Sequence, residues 1–485
     1  MSAPVADRAS VTRFKRGIKA PGGGYDPFVE PAQEWRASTM QACGLYPFAV
    51  GGESPMVGVP LGRNMLTGAT VCCDPLSWFR PARILPNPSA FVLGLPALGK
   101  STLVRRQLIG LAARGVTAIC AGDLKPDYAD VVRALGGQVI EMGRGRGSIN
   151  PLDPGTLAAA ADRLTGQAAH QLREEAHARR VNMVQALLAM IRGQRATDTE
   201  RAVLSAALRV LADRHAATDP AVLADLVTLL DDAPEPVRAP TLDRGDDDAY
   251  RQVVDPLQRS LIALIDGELG GVFAAPTSTR LSLDAPAVCV DVSGLAGHDE
   301  MLTAAVLLAT WNEAYGTVWA ANALADAGAA PQRHTLVILD ELWRVLAAGP
   351  GMVDRINFLG RTNRQDGVGQ IAITHTMADL NALASESDRA KARGFIERSA
   401  LLMLGGLPMH ELDEIDAKIV RLTAAEKTLV SSWHTPTSIA RSSAPPGRGK
   451  FLVKVANRPG IPVQVLLTEA ERVADVHNTD KRWAD

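Results

Sequence analysis

Apolar residues along this chain follow two rhythms that exchange places twice. Between residues 86 and 155, short uninterrupted apolar runs alternate with longer amphipathic stretches. The runs are AFVLG at 90–94, VTAICAGD at 116–123 and QVIEM at 138–142, and helical patterns fill 101–114 and the stretch through 132. Runs that are apolar throughout are the pattern of strands buried on both faces, as in a parallel sheet covered by helices. From 156 to 265 such runs stop. Segments such as REEAHARRVNMVQALLAMI and TERAVLSAALRVLADRH carry apolar residues at three- and four-residue spacing, which predicts amphipathic helices, with DDAPEPVRAP as a loop among them. From 266 onward the strand runs return, as AVCVDVS at 287–293, TLVILDE at 335–341, QIAITH at 370–375 and SALLMLG at 399–405. GKFLVKVANRPGIPVQVLL predicts a hairpin turning at 457–460. The pattern therefore predicts an α/β core in two parts, 86–155 and 266–485, with a parallel central sheet and an inserted all-α lobe at 156–265.

The first 85 residues read differently. They are rich in glycine and proline with short apolar pieces, PMVGVPLG and TGATVCCDP. This predicts a small N-terminal β-containing region over 26–85, preceded by a basic, flexible tail over 1–25. SSAPPGRG at 442–449 reads as a short loop, and no internal repeat is visible.

Composition narrows the function classes. With 485 residues the chain is long enough for about three domains and a sizeable core. Hydrophobic residues at 47% and charged residues at 21% exclude a largely disordered chain. The 51 basic and 53 acidic side chains nearly cancel, so net charge predicts no nucleic-acid partner. DNA contact would need a local patch; Arg144 and Arg146 in GRGRG are candidates, although arginines in a glycine-rich loop are more often simply exposed. The five cysteines show no CxxC spacing, which argues against zinc, and their odd number reads as reduced intracellular thiols. The N-terminus lacks the apolar core of a signal peptide. The longest apolar run, 302–311, falls far short of the roughly 20 residues of a membrane span. The expectation is a cytoplasmic protein that partners must hold at a membrane if it works there.

The sharpest chemical signal is GLPALGKST, comprising Gly94, Leu95, Pro96, Ala97, Leu98, Gly99, Lys100, Ser101 and Thr102. It fits GxxxxGK[ST] and lies between a predicted strand and a predicted helix, the context this phosphate loop requires. Glycines let the backbone close on phosphate oxygens, Lys100 can reach the β/γ-phosphates, and the Ser101 hydroxyl can ligate Mg²⁺. ATP with Mg²⁺ is the expected ligand. The second signal is TLVILDEL, whose apolar run delivers Asp340 and Glu341 to a strand end. Asp340 can hold Mg²⁺ through water, and Glu341 can orient and deprotonate the attacking water. Alone, the two acids read first as caps of the following helix; beside the phosphate loop that becomes the lesser reading. His375 ends another apolar strand, where it can sense the γ-phosphate or simply be a surface histidine. Arg361 and Arg364 in GRTNRQDG can supply charge to a neighbour's site or form a solvated basic end.

Taken in order, GLPALGKS, DLKPDY, GSINPLDPG, DELWRVL, GRTNRQDGVGQIAITHTMADL and NRPGIPVQV resemble the conjugative, type IV secretion ATPases of the FtsK/HerA superfamily. The likeness is to the VirB-type or TraC-like assembly ATPases in an actinobacterial mobile-element form, over roughly 55–485. It implies a RecA-like P-loop ATPase core, ATP hydrolysis with Mg²⁺, a homo-hexamer and membrane-embedded secretion or conjugation partners. It implies a peripheral location at the inner face of the cell membrane. It assigns Lys100 and Ser101 to phosphate and Mg²⁺, Asp340 to the metal and Glu341 to catalysis. Arg364 becomes the first choice, and Arg361 the second, for an arginine acting in a neighbour's site. His375 stands where many relatives carry glutamine. Asp123, Lys125 and Asp127 match an acidic–Lys–acidic motif around the site, and equally suit a polar loop. Such ATPases usually carry a larger N-terminal domain than 85 residues allow, so the expectation is either a reduced docking domain or another chain that supplies it. The alternatives are a HerA- or coupling-protein-like ring that moves DNA, and a nucleotide-switched scaffold with little turnover. The absence of membrane helices counts against the coupling-protein form, and an intact Glu341 against the scaffold.

Overall fold

A computed structural model describes residues 56–282, 284–295, 300–347, 353, 364–383, 385–434 and 447–477. These all lie in one compact unit spanning 51–485. Eleven strands form a single sheet: β1 (Pro60–Asn64), β2 (Thr70–Cys72), β3 (Ser89–Leu93), β4 (Thr117–Asp123), β5 (Gln138–Glu141), β6 (Ala287–Asp291), β7 (Thr335–Leu339), β8 (Val368–Thr374), β9 (Leu401–Leu404), β10 (Lys450–Lys454) and β11 (Ile461–Val465). Their spatial order is β2-β1-β11-β10-β9-β3-β8-β7-β4-β6-β5. From β9 to β5 every pair is parallel. The remaining strands extend the sheet antiparallel. The hairpin expected near the C-terminus is β10–β11. The expected N-terminal β-region enters the same sheet, because β1 pairs with β11. Residues 1–25 and 26–55 lie outside the described residues.

The apolar strand runs are explained by burial on both faces. Phe91, Leu93, Ile119, Ala121, Val337 and Leu339 point into one core layer. Their sequence neighbours Ala90, Val92, Ala118, Cys120, Leu336 and Ile338 point into the other. The period of two thus separates the faces, and neither meets water.

The second layer is covered by α1 (Pro75–Phe79), α2 (Lys100–Ala112) and α3 (Ala129–Ala134). The first layer is covered by the helical block between β5 and β6. It comprises α4 (Gly155–Asp162), α5 (Gly166–Arg192), α6 (Asp198–Arg214), α7 (Leu223–Asp232), α8 (Glu235–Arg238), α9 (Asp247–Asp266) and α10 (Gly270–Phe273). Helix α11 (Glu300–Asp326) follows β6 and lies between this block and the sheet; its residues Leu302 to Trp311 are almost wholly buried. That explains the longest apolar run as a core helix, and no described helix is long and apolar enough to cross a membrane. The rest of the chain adds α12 (Leu342–Ala347), α13 (Met377–Asn381), α14 (Glu386–Arg398), α15 (Met409–Lys418), α16 (Ala424–Ser432) and α17 (Glu469–Val473). Cys72, Cys73, Cys120 and Cys289 are buried free thiols.

One glycine shapes the site directly. Gly122 sits at φ +126°, where the β4–β6 register shifts between Cys120 and Asp123. A Cβ there would lie 2.3 Å from Leu307 Cδ2. The irregularity lets α11 approach and sets the direction in which Asp123 leaves the sheet.

Candidate functional site

The candidate site stands at the carboxyl ends of β3, β4, β7 and β8, the edge at which open α/β sheets hold ligands. β3 runs into the phosphate-loop segment, which turns with Ala97 at φ +63° and Gly99 at φ +93°. Helix α2 then begins at Lys100 with no side-chain cap. First-turn amides lack intrahelical acceptors, so an uncapped start facing a cavity is suited to anions. The scaffold braces the loop from outside. Gly94 N–H donates to the His375 carbonyl at 3.0 Å, Leu95 N–H to the Gly406 carbonyl at 3.1 Å, and Gly449 N–H to the Leu98 carbonyl at 2.9 Å. Leu98 is buried, while Pro96 and Ala97 are exposed at the crest.

Lys100 bends back over this loop. Its ammonium donates to the carbonyls of Gly94 at 2.6 Å and Leu95 at 3.2 Å, and lies 3.0 Å from His375 Nδ1. Burial lowers its pKa to about 8, against the charges of Asp340 and Glu341 that favour the ammonium. Ser101 donates its hydroxyl to Asp127 Oδ2 at 2.7 Å, and Thr102 follows, half-buried, in the same turn.

The apolar β7 delivers Asp340 and Glu341. Asp340 accepts from the Glu341 N–H at 2.8 Å and the Tyr128 hydroxyl at 3.2 Å. Burial, followed by the charge of Glu341, raises its pKa to about 7. Glu341 has φ +51°, a left-handed conformation that a non-glycine residue adopts at a cost. Its carboxylate accepts from Lys125 Nζ at 3.0 Å and Trp343 Nε1 at 2.6 Å, with His375 Nε2 at 3.5 Å. Burial pushes this carboxyl up, but His375 and Lys125 together hold it well below the usual carboxylate range. Asp123 is built into the scaffold. It accepts the backbone N–H groups of Asp127, Tyr128 and Ala129 at 2.6–3.1 Å, capping the start of α3. Burial raises its pKa to about 6 against those bonds.

Lys100, Ser101, Thr102, Lys125, Asp127, Asp340, Glu341 and His375 line one cavity of about 280 Å³. Strand order explains the meeting: β8 lies between β3 and β7, and β4 lies on the far side of β7. Ser101, Asp127 and Asp340 offer oxygen donors only, in a cavity with room for water and phosphate, and Mg²⁺ favours such a set. The turn that carries His375 is fixed by Asp379, which accepts from the Thr376 N–H at 3.0 Å.

Other residues named from the sequence lie elsewhere. Arg364 is exposed just before β8, at the opposite end of the strand from the cavity. Its guanidinium carbon is 5.8 Å from the Phe79 ring centroid. Arg361 lies outside the described residues. Arg144 donates to the Glu268 carbonyl at 3.1 Å, and Arg146 lies 3.9 Å from Glu141. Sequence reasoning did not assign roles to Tyr128 or Trp343, the partners of the two β7 carboxylates. It also missed Arg448 and His477, which reach the cavity from the C-terminal part. Trp343 and Tyr128 lie inside the DELW and DLKPDY motifs, so proximity was the available signal; Arg448 and His477 carry none.

No family model and no curated protein matches the sequence. The fold does match solved structures. VirB4 of Thermoanaerobacter pseudethanolicus superposes with a TM-score of 0.61 at 18% identity, over 87% of this chain and all of that one. The plasmid coupling protein TrwB in complex with ADP and Mg²⁺ gives 0.49 at 14% identity, over 80% of this chain and 87% of that one. The chain therefore has the RecA-like P-loop ATPase fold seen in VirB4.

Proposed function

We propose that this chain is a Mg²⁺-dependent ATPase that energises conjugative transfer or the assembly of a type IV secretion apparatus. The observation that carries the reading is the convergence of Lys100, Ser101, Asp340 and Glu341 on one cavity at the carboxyl edge of the parallel sheet. Lys100 and the amides at the start of α2 hold the phosphates. Ser101 and Asp340, with Asp127 beside them, would hold Mg²⁺, which would supply charge neutralisation at the phosphates. Glu341 orients the attacking water and takes its proton. Arg364 is too far along β8 to serve its own chain's cavity, which supports a role in a neighbour's site within a hexamer.

The secretion role is supported by the motif series and by the likeness to VirB4 across the whole of that chain. Membrane-embedded partners would hold the ring at the inner face of the membrane.

Steady-state ATP turnover, with and without DNA and across salt, tests the reading. We expect Mg²⁺-dependent turnover that DNA changes little. ATP binding without turnover would replace the enzyme by a nucleotide-switched scaffold. Strong DNA stimulation that collapses steeply with salt would replace the assembly role by a DNA-translocating ring.

A further inference from the structure

The carboxylate assigned to water activation is itself held by three separate elements. Lys125, from the segment after β4, donates to Oε1 at 3.0 Å. Trp343, from α12, donates its indole N–H to Oε2 at 2.6 Å. His375, after β8, places Nε2 3.5 Å from the same Oε2. The Glu341 side chain is 7% exposed and its backbone is left-handed, so its surroundings impose its position.

Lys100 dictates the proton pattern along this line. An ammonium has only protons to offer, so His375 Nδ1, 3.0 Å away, must be the acceptor. The imidazole proton then sits on Nε2 and faces Glu341 Oε2. Lys100, His375 and Glu341 thus form a directed chain from the phosphate loop to the carboxylate. A carboxylate oxygen has two lone-pair positions. On Oε2 the indole takes one, and His375 faces the other.

We propose that His375 and Trp343 are positioning residues for the hydrolytic step. A triphosphate draws the Lys100 ammonium toward its own oxygens, and His375 Nδ1 loses its donor. The imidazole is then free to bring its Nε2–H fully onto Oε2, which fixes the carboxylate and leaves the second lone pair of Oε1, beside Lys125, to water. Trp343 keeps Oε2 in place while this happens. The inference rests on the ATPase reading above and adds how phosphate binding reaches the carboxylate.

The test uses the full chain with the indole nitrogens labelled. The Trp343 indole resonance is assigned by its loss in Trp343→Phe. Adding adenosine β,γ-imidotriphosphate with Mg²⁺ should shift that resonance in the wild type. In His375→Ala the analogue should still bind, measured by calorimetry, but the indole should not respond. Both variants should lower kcat roughly 10- to 100-fold with KM for ATP little changed, as expected for lost alignment. His375→Gln should recover most of the loss, because a carboxamide also has an acceptor and a donor to place in line. An unchanged indole response in His375→Ala would overturn the proposal, as would a His375→Gln variant no better than His375→Ala. If Trp343→Phe does not fold, the kcat values of the two His375 variants decide alone. Absence of analogue binding to the wild type would instead overturn the ATPase reading itself.

Discussion

The helical lobe and the cavity at the sheet edge both bury charged side chains, and they do so in opposite ways. In the lobe several charges are closed into pairs, although burial pushes His177 and Arg180 toward their neutral forms. Arg192 and Glu200 pair at 2.7 Å, and Glu200 also closes a capping box with Thr197 at the start of α6. At the lobe surface, half exposed, Arg209 meets both oxygens of Glu174 at 2.8 Å. The lobe also borders a cavity of about 460 Å³, larger than the candidate one at the sheet edge, and its Arg173 and Arg209 pair with Asp162 and Glu174. At the sheet edge the charges are in conflict. Lys100 is pushed down to about 8, Asp340 is pushed up to about 7, and Glu341 sits on strained backbone. Local and global preferences agree at these lobe pairs, which is what stability needs. They disagree where a ligand's charge is required to resolve them, and such sites are where function resides.

The comparison predicts a ranking of effects. The largest belong to the cavity. Lys100→Ala should abolish ATP binding or turnover. Glu341→Gln should bind ATP normally and lose about 10²–10⁴ in kcat, read by calorimetry and steady-state kinetics. A Glu341→Gln chain with normal kcat would remove it as the base and blur the contrast.

Next comes Arg364→Ala, which should keep ATP affinity and lose about 10³ in turnover if it acts in a neighbour's site. Mixing Arg364→Ala with Glu341→Gln chains should restore some activity, because a site joining an intact Glu341 to an intact Arg364 reappears. No restoration despite proven co-assembly would exclude the trans role.

In the lobe, Leu204→Ala should cost about 2–5 kcal/mol in denaturant unfolding, since Leu204 is 1% exposed in the main core layer. Turnover per folded molecule should stay near normal. A large loss of kcat would mean that the lobe takes part in chemistry.

A smaller effect concerns Asp340. Burial raises its folded pKa to about 7, well above the ordinary 3.8 of an aspartate, so it binds its proton more tightly when folded. That contribution is complete below about pH 4 and is lost as pH rises toward 7. Without Mg²⁺, stability should therefore decline between about pH 5 and 8 by on the order of 2–4 kcal/mol more in the wild type than in Asp340→Asn. Mg²⁺ should remove most of the difference. Equal pH dependence in the two chains would show that Asp340 is not strained by burial.

The smallest expected effect is Thr197→Ala, which removes the α6 cap and should cost about 1 kcal/mol with no change in kcat.

The strands and the lobe were legible because each rests on local periodicity. AFVL, TLVIL and QIAIT are apolar throughout and became β3, β7 and β8, buried on both faces. The candidate phosphate loop could be named from the sequence because its glycines, lysine and serine lie within nine consecutive residues. The region before residue 86 was less so. The short β2 pairs only with β1, but β1 has its other partner about 400 residues away, and nothing local announces that β1 will pair with β11.

The linear pattern alone decides which segments are strands, where the helices interrupt them, and which residues can grip a phosphate. Those properties depend on neighbours three or four positions away. Strand order depends on long-range packing, and it alone inserts β8 between β3 and β7. That insertion places His375 between Lys100 and Glu341. The next strand over brings Asp127 to Ser101 and Lys125 to Glu341. The unusual proton affinities of Lys100, Asp340 and Glu341 arise from that arrangement, because burial and opposing charge act through space rather than along the chain.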